Sequence, residues 1–323
     1  MVNLKPLISI IIPCYNSETF IGGTIEMLLK QNISGCELIL INDGSTDSTL
    51  DILKRYESNE NIRIINQTNQ GVSVARNEGI RIAQGKYIYF LDSDDTLADG
   101  TLSHFKKILT AHSNCQIYAF GYETKVKGKT YKRYIFPHYD SQTLPGQEIM
   151  KSFLSKKLCI HICSGIYERQ FLFDHQLKFK PRIKIGEDVL FILQAIQQAN
   201  QIYYSKRLTF IYQIRDNSAM QGYKSYSKEQ YYSHTLLRKY LLPIAENDKS
   251  IRNTIHFFLL FSYLSNLRYY LKSNLKDKEL NNSFIKDSNI RYKSNFTDNL
   301  YMWLIMKISI LIPLRLILYI MKH

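Results

Sequence analysis

The run Tyr87-Ile88-Tyr89-Phe90-Leu91, followed by Asp92-Ser93-Asp94-Asp95, constrains the fold more than any other stretch. Residues of high strand propensity lead directly into three carboxylates within four positions. A near-continuous apolar run of this kind suits a strand covered on both faces by helices. In an open α/β sheet, ligands collect beyond the carboxyl ends of such strands. Asp92 and Asp94 stand two apart, so continued strand geometry would put them on one face. Carboxylates crowded in this way repel one another, and a divalent cation carrying phosphate oxygens relieves the repulsion. A solvated turn is the plain alternative, because Asp and Ser are ordinary turn residues.

The preceding chain repeats the same grammar. Leu7–Ile12 reads as a first buried strand stopped by Pro13, and Ser17 is placed to cap a helix beginning at Glu18 and Thr19. Glu37–Ile41 is a second strand ending in Asn42-Asp43-Gly44-Ser45-Thr46-Asp47. There Gly44 permits a tight turn, and Ser45 or Thr46 is positioned to cap a helix running to about Tyr56. Ile62–Ile65 is a third strand, and Asn69-Gln70-Gly71 leads into a helix through Ala75-Arg76-Asn77. Strands alternating with helices imply a doubly wound α/β sheet. After Asp95 the alternation loosens. A helix over about Asp99–His112 and a strand over Gln116–Tyr122 are expected, then a hairpin in Lys125–Phe136 turning at Lys127-Gly128-Lys129. Helices over Gln147–Ser155 and Glu168–Phe173 follow. Leu177–Ile185 alternates apolar and basic residues before Gly186-Glu187-Asp188 and a helix to Asn200, and Ile202–Tyr212 reads as two short strands. Ser227 to about Lys272 is helical, and the polar, Lys/Asn-rich Asn274–Asn299 reads as a connector.

Charge is distributed unevenly. Residues 1–100 carry 8 Lys+Arg against 13 Asp+Glu, a net of −5; the remainder carries 34 against 15, a net of +19. A nucleic-acid binder would be more uniformly basic, so the split points to a basic C-terminal half facing an anionic surface. The five cysteines (Cys14, Cys36, Cys115, Cys159 and Cys163) are an odd number without zinc-ligand spacing, as expected of free thiols in a reducing compartment. The Leu7–Ile12 run is too short for a signal peptide, which puts the expected location in the cytoplasm.

Taken together, these motifs resemble family-2 inverting glycosyltransferases of the GT-A fold. The resemblance covers about residues 6–215. It is carried by Pro13-Cys14-Tyr15-Asn16 with Glu18, Asn42–Asp47, Gln70-Gly71 to Ala75-Arg76-Asn77 with Gly79, Gly85-Lys86-Tyr87, Phe90–Asp95, and Gly186-Glu187-Asp188 with Phe191. It implies a Rossmann-like GT-A mixed sheet with a C-terminal helical extension. Residues 1–98 would form the nucleotide-sugar half and 99–222 the acceptor half, with 223–299 a helical extension and 300–323 a membrane-associating amphipathic helix. Pro13, Tyr15, Asn16, Glu18, Asn69 and Arg76 would border the donor nucleotide, together with Ser93. Asp43 would accept a hydrogen bond from the base, since a uracil N–H needs an acceptor. Helix capping is the plain alternative for Asp43, and an exposed helical arginine for Arg76. Asp94, with Asp92, would hold Mn2+ or Mg2+ against the diphosphate, Asp92 alternatively binding the donor's ribose, and Asp95 would make structural hydrogen bonds. Asp188 would be the general base that takes the acceptor's proton.

The resemblance further implies transfer of a hexose or N-acetylhexosamine from a UDP-sugar to a lipid-linked, polyprenyl diphosphate glycan in bacterial capsule, exopolysaccharide or O-antigen assembly. The only Trp, Trp303, lies outside the Gln-x-x-Arg-Trp motif of processive synthases, which argues for single additions. Arg215 and Ser218 loosely match a late Arg/Ser element of single-addition relatives. Glu187, Lys180 and Arg182 are candidates for contact with the acceptor. The basic residues Lys178, Lys180, Arg182 and Lys184 could equally guard an edge strand. Leu300–Met321 is about long enough to span a bilayer, but Lys307, Arg315 and Lys322 fall within one sector of about 80°. That basic stripe suits a helix lying on an anionic membrane at the inner face of the cell membrane, with a helix packed on the protein's own core as the plain alternative. A homodimer is compatible with the sequence, and no nucleic-acid partner is expected. The alternatives are a nucleotidyltransferase, whose Gly/Arg/Lys-rich phosphate loop is missing from Pro13–Glu18, and a sugar-nucleotide-binding protein without catalysis.

Overall fold

In the computed structural model, residues 5–215, 226–275 and 277–292 are described. They divide into two compact units: 5–150 with 158–215, and 151–157 with the described residues after 215. The amphipathic segment expected over 300–323 lies outside the described residues, as does Ser218. Among the described residues no helix is long and apolar enough to cross a membrane.

The first unit starts with β1 (Ile8–Cys14), α1 (Ile21–Lys30), β2 (Cys36–Asp43), α2 (Thr49–Lys54), β3 (Ile62–Gln67), α3 (Val72–Ile82) and β4 (Tyr87–Phe90). β3, β2, β1 and β4 lie side by side in parallel. All four residues of β4 are buried, which is why its sequence shows no apolar/polar alternation. Helix α3 lies close on β1, because a Cβ at Gly79 would come within 2.3 Å of the Ile11 side chain.

The sheet then turns mixed. After β5 (Thr96–Leu97), α4 (Thr101–Ala111), β6 (Ile117–Val126), β7 (Lys129–Tyr134), β8 (Gln142–Pro145) and α5 (Gly146–Leu154) come β9 (Gly165–Glu168), α6 (Arg169–Asp174), α7 (Glu187–Gln198) and β10 (Gln201–Ile214). The full order is β3-β2-β1-β4-β9-β6-β10-β5, with β7 on β6 and β8 on β10. β9 runs antiparallel between β4 and β6, while β10 runs parallel to β6.

Several local expectations shift. Neither Ser17 nor Ser45/Thr46 caps a helix. Ser17 hydroxyl bonds to Ser93 and to the Tyr15 carbonyl, and Asp47 Oδ1 accepts from the first amide of α2, at Thr49. The two short strands expected over Ile202–Tyr212 are one strand, β10, with register shifts around Leu208. Leu177–Ile185 keeps its burial alternation without forming a strand. In place of a neighbouring strand, the Asn77 side chain pairs with the Phe179 backbone, accepting from its N–H and donating to its carbonyl, both at 2.8 Å. Phe179 itself stacks on Phe191 at 4.1 Å and meets the edge of Phe90 at 5.1 Å. The basic residues between therefore guard no sheet edge.

The second unit contains α8 (Lys228–Asn247) and α9 (Lys249–Lys272), as the helical pattern implied, and α10 (Lys278–Asp287) inside the expected connector. Asp277 caps α10 by accepting from the Leu280 amide, and Leu280 and Phe284, four apart, are buried. Two apolar anchors suffice for a short helix, and Lys/Asn-rich surroundings conceal them.

Candidate functional site

The carboxyl ends of β1, β2 and β4 meet at one edge of the sheet, since Cys14 registers with Asn42 and Ile11 with Phe90. The loops after β1 and β2 are laced together. Asn16, at φ 48°, accepts from the Thr46 amide and donates its own amide to Ser45. Glu18 Oε2 accepts from the Ser48 amide, and the Glu18 amide donates to Asp47. Tyr15 projects from this frame, 52% exposed, behind half-buried Pro13. Gly44 takes φ 68°, and a Cβ there would lie 2.5 Å from the Asn69 amide nitrogen, so only glycine lets the β2 loop pass exposed Asn69.

Asp43 is buried at the end of β2. Its Oδ1 accepts from Gln67 Nε2 and the Gln70 amide, and its Oδ2 from the Gly71 amide at 2.8 Å. Asp43 thus holds the Gln70-Gly71 turn that leads into α3 rather than capping a helix, since neither amide belongs to α3, and Oδ2 keeps a lone pair for a further donor.

Beyond β4, each aspartate has its own partner. Asp92 Oδ1 accepts from Arg76 Nη2 at 2.8 Å. Asp94 Oδ2 pairs with Arg215 Nη1, while Arg215 Nη2 donates to the Asp94 carbonyl and the guanidinium lies 4.1 Å over the Phe20 ring. Asp95 is buried, with Oδ1 accepting from the Gln213 amide at 3.1 Å. Ser93 hydroxyl meets Ser17 at 2.8 Å, and the Ser93 carbonyl accepts from Thr24.

Arg76 is buried and joins two parts of the site. Its Nη1 donates to Glu187 Oε1 at 3.0 Å while Nη2 holds Asp92, and its guanidinium lies 5.1 Å from the Phe179 ring. Glu187 therefore turns inward, whereas Asp188, the next residue in the first turn of α7, is half-buried with Oδ1 on the Val189 amide. Lys178, Lys180, Arg182 and Lys184 lie exposed just before this turn.

The electrostatics follow from this crowding. Burial acts to raise the Asp92 pKa, but the Arg76 guanidinium outweighs it and holds the carboxyl below its ordinary range. Burial and then the Asp92 charge raise Asp94 against the pull of Arg215. Asp95 is pushed up to about 9 by burial, then by Asp92 and Asp94. Glu187 rises to about 7 through burial and its neighbour Asp188.

His161 was not singled out by any spacing in the sequence. It begins a 3-10 turn at Ile162–Ser164, and its Nδ1 accepts from the Cys163 amide, which leaves the proton of the neutral ring on Nε2. The ring stacks on Phe210 at 4.9 Å. Burial lowers its pKa even though Asp188 and Asp92 are both close enough to raise it. A neutral donor thus sits within the field of both carboxylates.

The donor set suits a hard cation. Asp92 and Asp94 each place one carboxylate oxygen on an arginine, and oxygen ligands are what Mg2+ and Mn2+ take. The raised pKa of Asp94 comes first from burial and then from the Asp92 charge, which Arg215 only partly offsets. By contrast, Asp92, Asp95 and Cys163 have ligand atoms within 4.8 Å of one another but offer a poor set, because burial keeps the Cys163 thiol protonated and Asp95 holds its proton to about pH 9.

Asp95 makes the stability pH-dependent. Between its ordinary carboxylate range and about pH 9 the folded chain keeps a proton that the unfolded chain has lost, so this group's contribution falls as pH rises. Asp95→Asn, which retains an acceptor for Gln213, is expected to flatten that fall. Thermal unfolding between about pH 5 and about pH 9 tests it, and a slope equal to that of the unchanged protein would contradict the assignment.

The Glycosyl transferase family 2 profile matches residues 9–175. The putative glycosyltransferase EpsH of Bacillus subtilis (strain 168) is 30% identical over 222 residues, 68% of this chain and 64% of EpsH. The minor teichoic acid biosynthesis protein GgaB of the same organism is 29% identical over 272 residues, 81% of this chain and 29% of GgaB. The chain thus spans less than two thirds of the length of these relatives. The crystal structure of S. aureus TarS 1-349 in complex with UDP-GlcNAc superposes with a TM-score of 0.66 at 22% identity, covering 89% of this chain and 81% of that one, and shares the GT-A fold. With the family's profile spanning Asp43 at the end of β2, Arg76 in α3 and Asp92 just beyond β4, the chain belongs to glycosyl transferase family 2.

Proposed function

We propose that the chain transfers a hexose or N-acetylhexosamine from a UDP-sugar, with inversion, to a lipid-linked glycan in bacterial surface polysaccharide synthesis. The observation that carries this reading is the Arg76 bridge. It ties Asp92, after β4, to Glu187, beside Asp188, so the nucleotide end of the sheet and the proposed base belong to one site. The UDP-GlcNAc bound by TarS and the teichoic acid synthesis named for GgaB support the donor and the pathway class.

In this reading residues 1–98 hold the donor and 99–222 the acceptor. Tyr15 offers an exposed ring to the uracil, and Asp43 accepts from its N–H through the remaining Oδ2 lone pair. Asn16, Glu18 and Asn69 shape the pocket by locking the β1 and β2 loops. Asp94 and Asp92 hold Mg2+ or Mn2+, which when bound offsets the charge developing on the departing diphosphate. Asp188 takes the acceptor's proton: Oδ1 is tied to the Val189 amide, so Oδ2 is the oxygen that receives it. Glu187, first considered for acceptor contact, instead anchors α7 to Arg76. Lys180 and Arg182 face solvent beside the base and suit the diphosphate of a polyprenyl-linked acceptor at the inner membrane face.

Calorimetry of UDP with Mn2+ tests the donor half. Asp94→Ala is expected to weaken Mn2+-dependent UDP binding at least about tenfold, the loss of one charged ligand being worth upwards of 1.4 kcal/mol. Equal affinity in the variant would remove Asp94 from the metal site.

A further inference from the structure

The β6–β7 hairpin carries charge and an aromatic ring that neither the proposed base nor the nucleotide loops use. Glu123–Tyr134 contains five cations (Lys125, Lys127, Lys129, Lys132 and Arg133) against one carboxylate, Glu123. Glu123 is buried and pairs with Lys125 at 3.3 Å and Arg133 at 3.1 Å, which leaves the hairpin strongly positive. The two-residue turn is Lys127-Gly128, both at positive φ, so the strands are tightly joined and the tip is rigidly aimed.

Tyr131 stands out on this hairpin. Thr124 registers with Lys132 but Lys125 with Thr130, so Tyr131 is the extra residue of a β-bulge. A bulge re-aims a side chain, and Tyr131 is 73% exposed. Lysines alone would explain a protected edge strand, but a solvent-facing tyrosine in the middle of one works against that protection. Its neighbours along the strand, Lys129, Lys132 and Arg133, are exposed, with Lys132 Nζ 4.7 Å over the Tyr134 ring.

The hairpin also lies at the functional edge of the sheet. β6 runs parallel to β10, with Lys125 opposite Gln213 and Val126 opposite Ile214. Gln213 donates its amide to Asp95, and Arg215 pairs with Asp94. Tyr131 is therefore two strands, or about 10 Å in the plane of the sheet, from the chain that grips the aspartates.

We propose that the β6–β7 hairpin is an acceptor-side subsite for an anionic saccharide chain, with the Tyr131 ring against the apolar face of a sugar and Lys129 and Lys132 on its phosphate or carboxylate groups. The proposal deepens the glycosyltransferase reading and rests on it for the word acceptor. An anionic bilayer would also attract these cations. However, the tip Lys127-Gly128-Lys129 offers nothing apolar to insert, and a single tyrosine is a small anchor.

The test uses the full chain with four probes: a phosphodiester-bearing mannan, polygalacturonate, neutral dextran, and vesicles of phosphatidylglycerol and phosphatidylcholine. The unchanged protein is expected to bind one or both anionic polysaccharides and not dextran, the two arms separating phosphate from carboxylate recognition. Tyr131→Ser and the double variant Lys129→Ala/Lys132→Ala should each weaken that binding at least tenfold, while Tyr131→Phe, which keeps the ring, retains it. All three should bind UDP with Mn2+ as the unchanged protein does. Loss of UDP binding by the unchanged protein would strike the donor reading and leave the hairpin result to be judged by the polysaccharides alone. The proposal fails if neither anionic polysaccharide binds, if Tyr131→Ser binds them normally, or if the variants lose vesicle binding but not polysaccharide binding.

Discussion

Asp188→Asn is expected to cut sugar transfer by about 10²–10⁴-fold, the range a general base contributes, with UDP affinity unchanged. The amide keeps an oxygen for the Val189 amide, so the first turn of α7 need not move. What it loses is the ability to take a proton. Glu187 cannot stand in, because its carboxyl is buried and tied to Arg76. His161 is not a substitute either, since its Nδ1 is occupied by the Cys163 amide and its neutral ring presents a donor. Single-turnover transfer and calorimetry, run side by side, separate the two effects. A variant that transfers within a few-fold of the unchanged protein, or one whose UDP affinity falls in step with its rate, would show that Asp188 is not the base.

Arg76→Ala is expected to destabilise the fold by about 3–5 kcal/mol, the usual consequence of removing one partner from a buried ionic network. The guanidinium is almost wholly buried, and its loss leaves Asp92 and Glu187 facing each other without a counter-charge. It also uncovers the Phe179 ring, which packs the Leu177–Ile185 segment onto Phe90 and Phe191. Arg76→Lys should recover little, because one ammonium cannot reproduce a planar fork holding two carboxylates. Glu187→Gln should cost less than Arg76→Ala, since the amide oxygen still accepts from Nη1 and no buried charge is stranded. Urea unfolding measures all three. Destabilisation of Arg76→Ala below about 1 kcal/mol, the scale of an exposed pair, would mean that the network is solvated and contributes little.

Much of the nucleotide half was legible from local pattern. The strand ending in Asp92-Ser93-Asp94-Asp95, the turn at Gly44, and the order of helices and strands through Ile82 all follow from residues close in sequence. Backbone propensity, glycine's left-handed freedom and apolar periodicity act over a few residues, so one sequence suffices to read them. The basic hairpin was equally plain, because Lys127-Gly128-Lys129 between alternating strands is a short-range signal.

The tertiary structure decided which partners those residues meet. Arg76 read as either an exposed helical arginine or a donor-site residue, and only the tertiary fold buries it between Asp92 and Glu187, 111 residues further on. Leu177–Ile185 alternates as a strand would, yet Asn77, 102 residues away in sequence, supplies the backbone partner, so no strand forms. Asp43 holds the Gln70-Gly71 turn rather than capping the adjoining helix, and His161 enters the site because its turn is held on Phe210 of β10. Each of these depends on a contact across the sheet whose energy belongs to two distant stretches at once. No local propensity encodes such a contact; it exists only when the sheet closes around it.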